Sequence, residues 1–258
     1  SGNQFNPTTL SIGNHIVSYT VTAGACTSTE TISIEVVPAP VVAIDAVNDV
    51  CIDGSPITLS ATPAGVTFTG SGVSVNTFTP SVAGVGDKTI TGRIDDNLGC
   101  TVESTIIVSV KAKPVVTINN IPDVCETTTE ITLVGNPSGG TFTGNNVNNN
   151  DKFDVSTATV GTHPITYTYS DGVCSNSANG TVNVTAEPII DFTEVGQICK
   201  DASPITLTAT PTIGTFSGDG VVSGNQFNPT TLSIGNHIVT YTVTAGACTS
   251  TETISIEV

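Results

Sequence analysis

Residues 1–36 and 223–258 are one sequence written twice, differing only at Ser18 against Thr240. The offset is 222 residues, and weaker self-similarity fills the space between at a period of 74, one third of that distance. A fixed period of this size marks tandem structural units rather than one large domain. Three prolines open the units in register: Pro40 in APVVAI, Pro114 in KPVVTI and Pro188 in EPIIDF. Each unit then runs through SPITLSATP, TEITLVGNP or SPITLTATP and through TFTG, TFTG or TFSG, with Phe68, Phe142 and Phe216 in register. A second phenylalanine follows (Phe78, Phe153 or Phe227), then KTITGRI, HPITYTY or HIVTYTV, and last STIIVSV, NGTVNV or ETISIEV. The expected layout is the C-terminal half of a repeat over 1–36 and complete repeats over 39–110, 113–184 and 187–258. Copies three repeats apart are nearly identical while neighbours differ widely. The duplicated unit is therefore a block of three, and the chain is expected to be a stretch of a longer array. Methionine is absent even at position 1, which fits an internal or processed piece.

The apolar residues alternate with a period of two. In ETISIEV, Ile254, Ile256 and Val258 alternate with Thr253, Ser255 and Glu257, and Ile205, Leu207 and Ala209 alternate with Thr206 and Thr208. This pattern predicts half-buried strands, and the abundance of Thr, Val and Ile suits a pleated surface. Gly, Pro and Asn between the strands supply turns, and no stretch carries helical spacing. Six or seven short strands in about 74 residues predict an all-β chain of small immunoglobulin-like β-sandwiches in tandem. Such domains bury a low fraction of their surface and need a staple.

Seven cysteines are candidates for it. Cys51 to Cys100, Cys125 to Cys174 and Cys199 to Cys248 are each 49 residues apart, and Cys26 has no partner at that spacing. No Cys-x-x-Cys pair or suitably spaced histidine suggests zinc. The regular frame predicts one disulfide per domain, each within its own repeat, and an oxidising, extracellular location. Reduced core cysteines are the competing reading. A staple of that kind closes a loop worth roughly 4 kcal/mol of chain entropy, and Cys26 is left unpaired within the chain.

The frame Cys-x-x-x-Ser-Pro-Ile-Thr-Leu, then Thr-Phe-Thr-Gly-x-Gly-Val, then Gly-x-His-x-Ile-x-Tyr and Gly-x-Cys resembles the immunoglobulin-like repeats of giant Bacteroidetes cell-surface proteins, gliding-motility adhesins among them. The resemblance spans the whole chain. It implies export by the type IX system, display at the cell surface in a long filament, and no catalytic residues. The middle repeat departs from the frame with CETTTEITL and the Asn-rich GNNVNNNDKF, so its loop surface is expected to differ.

Charge narrows the partners. Only 11% of residues are charged, and they sum to −16, so nothing here can displace the counterions of a nucleic acid. The same deficit argues against an anionic membrane surface, and no apolar run is long enough for membrane insertion. Gly70-Ser71-Gly72 and Gly218-Asp219-Gly220 lack the helix a nucleotide loop requires and read as hairpins. His163 and His237 share one repeat position, with His15 the copy of His237, and the first repeat puts Lys88 there; that alternation argues for an edge residue rather than a catalytic one. An intramolecular isopeptide at Lys88 is the alternative, although no other repeat carries the lysine. Calcium candidates are Asp95, Asp96 and Asp191, with Asn97, Asp45, Asp49, Asp53, Glu187 and Glu194 nearby. Because the Asp95-Asp96 pair does not recur, a solvated acidic surface without cofactor or metal is the reading adopted. Asn179 and Asn183 head formal glycosylation sequons on an expected strand. The function expected is a non-catalytic structural stalk whose partners are neighbouring repeats of the same long polypeptide. An array of carbohydrate-binding modules for a surface polysaccharide is the alternative.

Overall fold

The computed structural model describes residues 4–96 and 99–258. Nearly all of its regular structure is β, and the chain divides into two compact units, 1–113 and 114–258. Immunoglobulin-like sandwiches recur along it, each with its own core.

The repeat around residues 114–185 shows the plan. Two long strands, Gly161–Ser170 and Ser175–Thr185, pair antiparallel as a hairpin; Thr141–Gly144 flanks the first and Val124–Cys125 runs parallel to the second. A smaller sheet of Glu130–Thr132, Lys152–Asp154 and Val147–Asn148 lies over this one, and Thr117–Ile118 pairs with Gly135–Asn136. Strand alternation turns Ile165 and Tyr167 of one long strand and Val182 and Val184 of the other into the core, where they meet Leu133, Phe142 and Phe153. Phe153 and its equivalents Phe78 and Phe227 are fully buried, each burial contributing about 2–3 kcal/mol. The same four- and three-stranded sheets enclose Leu59, Phe68, Ile90 and Val108 in the first unit. In the last repeat the larger sheet has three strands, Thr215–Gly218, Asn236–Ala245 and Cys248–Glu257, over a core of Leu207, Phe227, Val239 and Tyr241.

Two features depart from the expectation of short strands alone. The final two strands of every repeat run to 10 or 11 residues, while the others have two to four. Short helical turns also occur at Pro80–Ala83, Pro7–Thr9 and Pro229–Thr231. In the last two, an Asn side chain (Asn6 or Asn228) accepts the backbone N–H two residues on, and proline opens the turn, a local start signal too short to show as helical periodicity.

Residues 13–36 form a single hairpin of Gly13–Ala23 and Cys26–Val36. Its register matches that of its twin: Asn14 faces Glu35 and His15 faces Ile34, as Asn236 faces Glu257 and His237 faces Ile256. None of its described residues is buried. The strands of this hairpin pair throughout, and its apolar residues Tyr19, Val21 and Ile32 are exposed.

Candidate functional site

The cysteines do not pair as their spacing predicts. Cys125 is bonded to Cys248, 123 residues away, with Cα atoms 4.8 Å apart. Cys51 and Cys174 are disulfide-bonded as well, whereas Cys26, Cys100 and Cys199 are free thiols. Cys51–Cys100, Cys125–Cys174 and Cys199–Cys248 are therefore all corrected, and with them the idea of one disulfide inside each domain. The reason is the length of the final hairpin. Cys125 ends a strand beside Thr185, at the far end of Ser175–Thr185, while Cys174 sits just before Ser175 at the near end. Eleven residues of strand at about 3.3 Å each separate those two ends by roughly 30 Å. A disulfide tolerates a Cα separation of up to about 7 Å, so one repeat cannot close its own pair.

Instead, the bond clamps the joint between one repeat and the next. The chain leaves Thr185 through Ala186-Glu187-Pro188, and Cys248 starts the last strand just after the turn at Gly246-Ala247. Thr185 is the hub: its hydroxyl donates to the Val124 carbonyl at 3.1 Å and accepts the Ala247 amide at 3.3 Å. Beside it, the Glu187 amide donates to Glu126 Oε1 at 2.7 Å, and the Ser250 hydroxyl donates to Glu187 Oε1 at 3.0 Å. Gly246 has φ +59°, and a Cβ there would lie 2.9 Å from Thr185 Cγ2, so glycine is needed both for conformation and for room. Cys248 is fully buried. Covalent bond, hydrogen bonds and close packing all cross the same joint.

The other sequence candidates fall apart into local roles. Asp95 makes a two-pronged ion pair with Arg93, 2.9 Å between Nη2 and Oδ1, and accepts from Thr101. The Arg93 hydrogen bond, with help from Thr101, holds the Asp95 carboxyl below its ordinary range. Asp96 Oδ1 instead accepts the Cys100 amide at 2.7 Å, and a hydrogen bond with Asp96, followed by burial, pushes the Cys100 thiol up. Asp49 pairs with Lys111 and Asp53 with Lys113, which lowers the Asp53 carboxyl through its hydrogen bond. Asp191 lies exposed on a two-residue strand. Asn97 lies outside the described residues. Among the described residues, no three acidic, histidine or cysteine side chains converge on a point that could hold a metal.

The shared histidine position has one structural job. His163 Nε2 meets the Thr159 carbonyl at 2.7 Å, His237 meets Ser233 at 2.8 Å and His15 meets Ser11 at 2.7 Å. Lys88 performs the same task by donating to the Val85 carbonyl at 3.1 Å. A cation or imidazole pins the turn that precedes the long strand, which explains why lysine and histidine interchange. His237 is buried rather than at a partly exposed edge, with its Nδ1 3.6 Å from Asp219 Oδ2. Asn179 and Asn183 both lie inside the strand Ser175–Thr185, where Asn179 accepts from the Thr166 hydroxyl. The Gly70 and Gly218 loops are tight hairpins, and a Cβ on Gly72 would strike Ala83 at 2.5 Å.

A tyrosine lock with no local sequence signal recurs in two repeats. Tyr167 Oη donates to the Pro137 carbonyl at 2.6 Å and accepts the Gly140 amide at 2.8 Å; Tyr241 does the same with Pro211 and Gly214 at the same distances. A Cβ on Gly140 or Gly214 would lie within 2.6 Å of the ring. The first repeat has Gly92 at the tyrosine position, and Ile44 and Val66 fill the space. A shallow cleft of about 520 Å³ beside Tyr241 is lined by Phe216, Thr208, Thr212 and Asn225.

No family model matches the chain, and no curated protein does. Among solved structures, an adhesin with which an Antarctic bacterium binds ice, described as stabilised by calcium, aligns over 95% of this chain and 80% of its own at 14% identity and a TM-score of 0.38. The D1–D4 ectodomain fragment of ICAM-5 aligns over 95% and 83% at 11% identity and 0.36. A SusE-like surface polysaccharide-binding protein of Bacteroides thetaiotaomicron aligns over 97% and 52% at 12% identity and 0.28. Likeness of this order transfers nothing about calcium, ligands or partners. No helix among the described residues is long and apolar enough to cross a membrane.

Proposed function

We propose that this chain is a run of load-bearing stalk repeats, 39–110, 113–184 and 187–258 with a half repeat over 1–36, from an extracellular surface adhesin. The resemblance of its frame to Bacteroidetes surface repeats extends the reading to a filament exported by the type IX system and serving attachment or gliding. The observation that carries it is the Cys125–Cys248 bond across a joint. A binding module has no need to weld itself to its neighbour, whereas a rod under tension does. The bond locks the 122 residues between the two cysteines, one fewer than their separation of 123. At about 3.4 Å per residue, roughly 400 Å of chain cannot be drawn out while it holds.

The test is single-molecule stretching of the chain held at its two ends, with and without reductant. Reduction should add contour length of that order to the full extension. Equal extension in both conditions would sink the reading. The carbohydrate-binding alternative rests on the cleft beside Phe216 and Tyr241. It is the weaker reading because Tyr241 is buried and its hydroxyl is committed to Pro211 and Gly214, so that its ring is not open to a stacking sugar.

A further inference from the structure

The middle and last repeats build one place differently. In both, a short turn in the smaller sheet comes back over the Thr-Phe-Ser/Thr-Gly strand of the larger one. The Leu133 amide reaches the Asp151 carbonyl, and the Leu207 amide the Asn225 carbonyl, each at 2.7 Å. Asn150 and Gly224, one residue earlier, are therefore equivalent, and both have positive φ, 68° and 82°. Phe142 and Phe216 are equivalent too, facing Tyr167 and Tyr241 in one register. There the likeness ends. The Phe142 amide donates to the Asn150 carbonyl at 2.9 Å, and its side chain is 4% exposed. The Phe216 amide makes no such bond with Gly224 among the described residues, and its side chain is only partly buried. A Cβ on Gly224 would meet nothing within 4 Å. What the middle repeat closes with its own turn, the last repeat leaves as the cleft of about 520 Å³, a size suited to a small ligand.

We infer that this cleft binds an N-acetylhexosamine unit of a neutral glycan, its acetamido carbonyl accepting from the Phe216 amide as the Asn150 carbonyl accepts from Phe142. The lining supplies the rest of the match. Leu207, Ala209 and Phe216 form an apolar wall for the acetamido methyl, and the hydroxyls of Thr208 and Thr212 with the carboxamide of Asn225 stand where a sugar presents its own hydroxyls. The Asn225 Nδ2 donates to the Leu207 carbonyl at 3.4 Å, so the carboxamide oxygen faces the ligand as an acceptor. No charged side chain lines the cleft, and a net charge of −16 repels sulfated or uronic sugars, which leaves a neutral one. Neither neighbour offers the same surroundings: Val134 and Asp151 replace Thr208 and Asn225 in the middle repeat, and Ala64 replaces Thr212 in the first. The site thus belongs to one repeat in three. It deepens the carbohydrate alternative by naming a ligand and a place, and its failure leaves the stalk reading standing.

The experiment titrates the isotope-labelled 258-residue chain with chitotriose, the trimer of N-acetylglucosamine, and follows the backbone amides by NMR. Cellotriose, which has a hydroxyl in place of each acetamido group, is the comparison. Chitotriose should move the Phe216 and Asn225 resonances and leave Phe142 unmoved. It should bind at least about tenfold more tightly than cellotriose, because a donor left unmet in a built site penalises the analogue that lacks the acceptor. Two variants borrow residues the middle repeat already holds: Gly224→Asn, at a φ asparagine adopts there, and Thr208→Val. Each should fold, with the Tyr241 and Phe227 resonances unchanged, and each should weaken chitotriose binding, Gly224→Asn by at least about tenfold. Absence of shifts at about 10 mM chitotriose overturns the proposal, as do equal affinities for the two sugars or undiminished binding by Gly224→Asn. Shifts centred on another repeat overturn it too. A short neutral peptide that binds more tightly than chitotriose and shifts all of Thr215–Gly218 assigns the edge to an added strand, and also overturns it.

Discussion

Tyr167 shows how much of each core depends on one hydroxyl. It is buried, and its Oη joins the Pro137 carbonyl to the Gly140 amide, two backbone groups in the loop after Asn136 that would otherwise face an apolar wall. Tyr167→Phe keeps the ring, its contact with Phe142 at 4.5 Å and the volume, and removes only the bridge. Leaving buried donors and acceptors unpaired costs about 1–3 kcal/mol. That is the loss expected for the 113–184 repeat in urea denaturation, read by exchange at Gly161–Ser170. Gly140→Ala should be at least as harmful for a different reason, since the added Cβ falls 2.4 Å from the Thr168 carbonyl oxygen. A change below about 0.5 kcal/mol in Tyr167→Phe, the size of an ordinary surface substitution, would show that water replaces the bridge. The residues of this lock are all visible in the sequence. Tyr with Gly140 or Gly214 in two repeats, against Gly92 with Val66 in the first, is a size exchange, but 27 residues separate each tyrosine from its glycine and no local rule pairs them.

At the scale of elements, the two-residue alternation and the turn residues led directly to strands, and the 74-residue period to the sandwich plan. Cysteine pairing was not legible for a definite reason. In a tandem array every first cysteine lies 49 residues before one second cysteine and 123 before the next, so spacing alone fits either partner. Only the lengths of the final strands decide between them, and strand ends are what sequence patterns locate least well. The Asn-rich departure of the middle repeat also becomes intelligible. GNNVNNNDKF holds Asn146, Asn149 and Asn150 at φ of 64°, 49° and 68°, the left-handed region that asparagine tolerates better than most residues. The last two sit between Val147–Asn148 and Lys152–Asp154, and the Asn150 carbonyl receives the Phe142 amide at 2.9 Å, tying this turn to the larger sheet. Asn150→Val should therefore cost about 1–2 kcal/mol, the penalty for a side chain with a branched Cβ in that region. Asn150→Gly should be neutral or mildly favourable. Equal stabilities for the two variants in chemical denaturation would refute the argument.

For the whole molecule, the bond at Cys125 and Cys248 makes neighbouring repeats share their stability. Closing a loop of this length removes about 5 kcal/mol of chain entropy from the unfolded state on the simplest account, comparable to the entire stability of a domain of about 70 residues. Neither partner can unfold freely on its own: if 187–258 melts while 113–184 stays folded, its chain remains anchored at Cys248 as well as at Pro188. Replacing both cysteines, Cys125→Ser with Cys248→Ser, keeps the hydrogen bonds of Thr185 and Glu187 but removes this anchor. A loss of several kcal/mol in a domain of that size corresponds to a fall in Tm of more than about 10 °C. Exchange read strand by strand should assign it to both Gly161–Ser170 and Asn236–Ala245, while Gly86–Asp95, whose core holds neither cysteine, keeps its protection. If the double variant melts within about 2 °C of the parent, the joint is held by packing alone. If only Asn236–Ala245 loses protection, the bond anchors the last repeat without stabilising the one before it, and the shared-stability account fails.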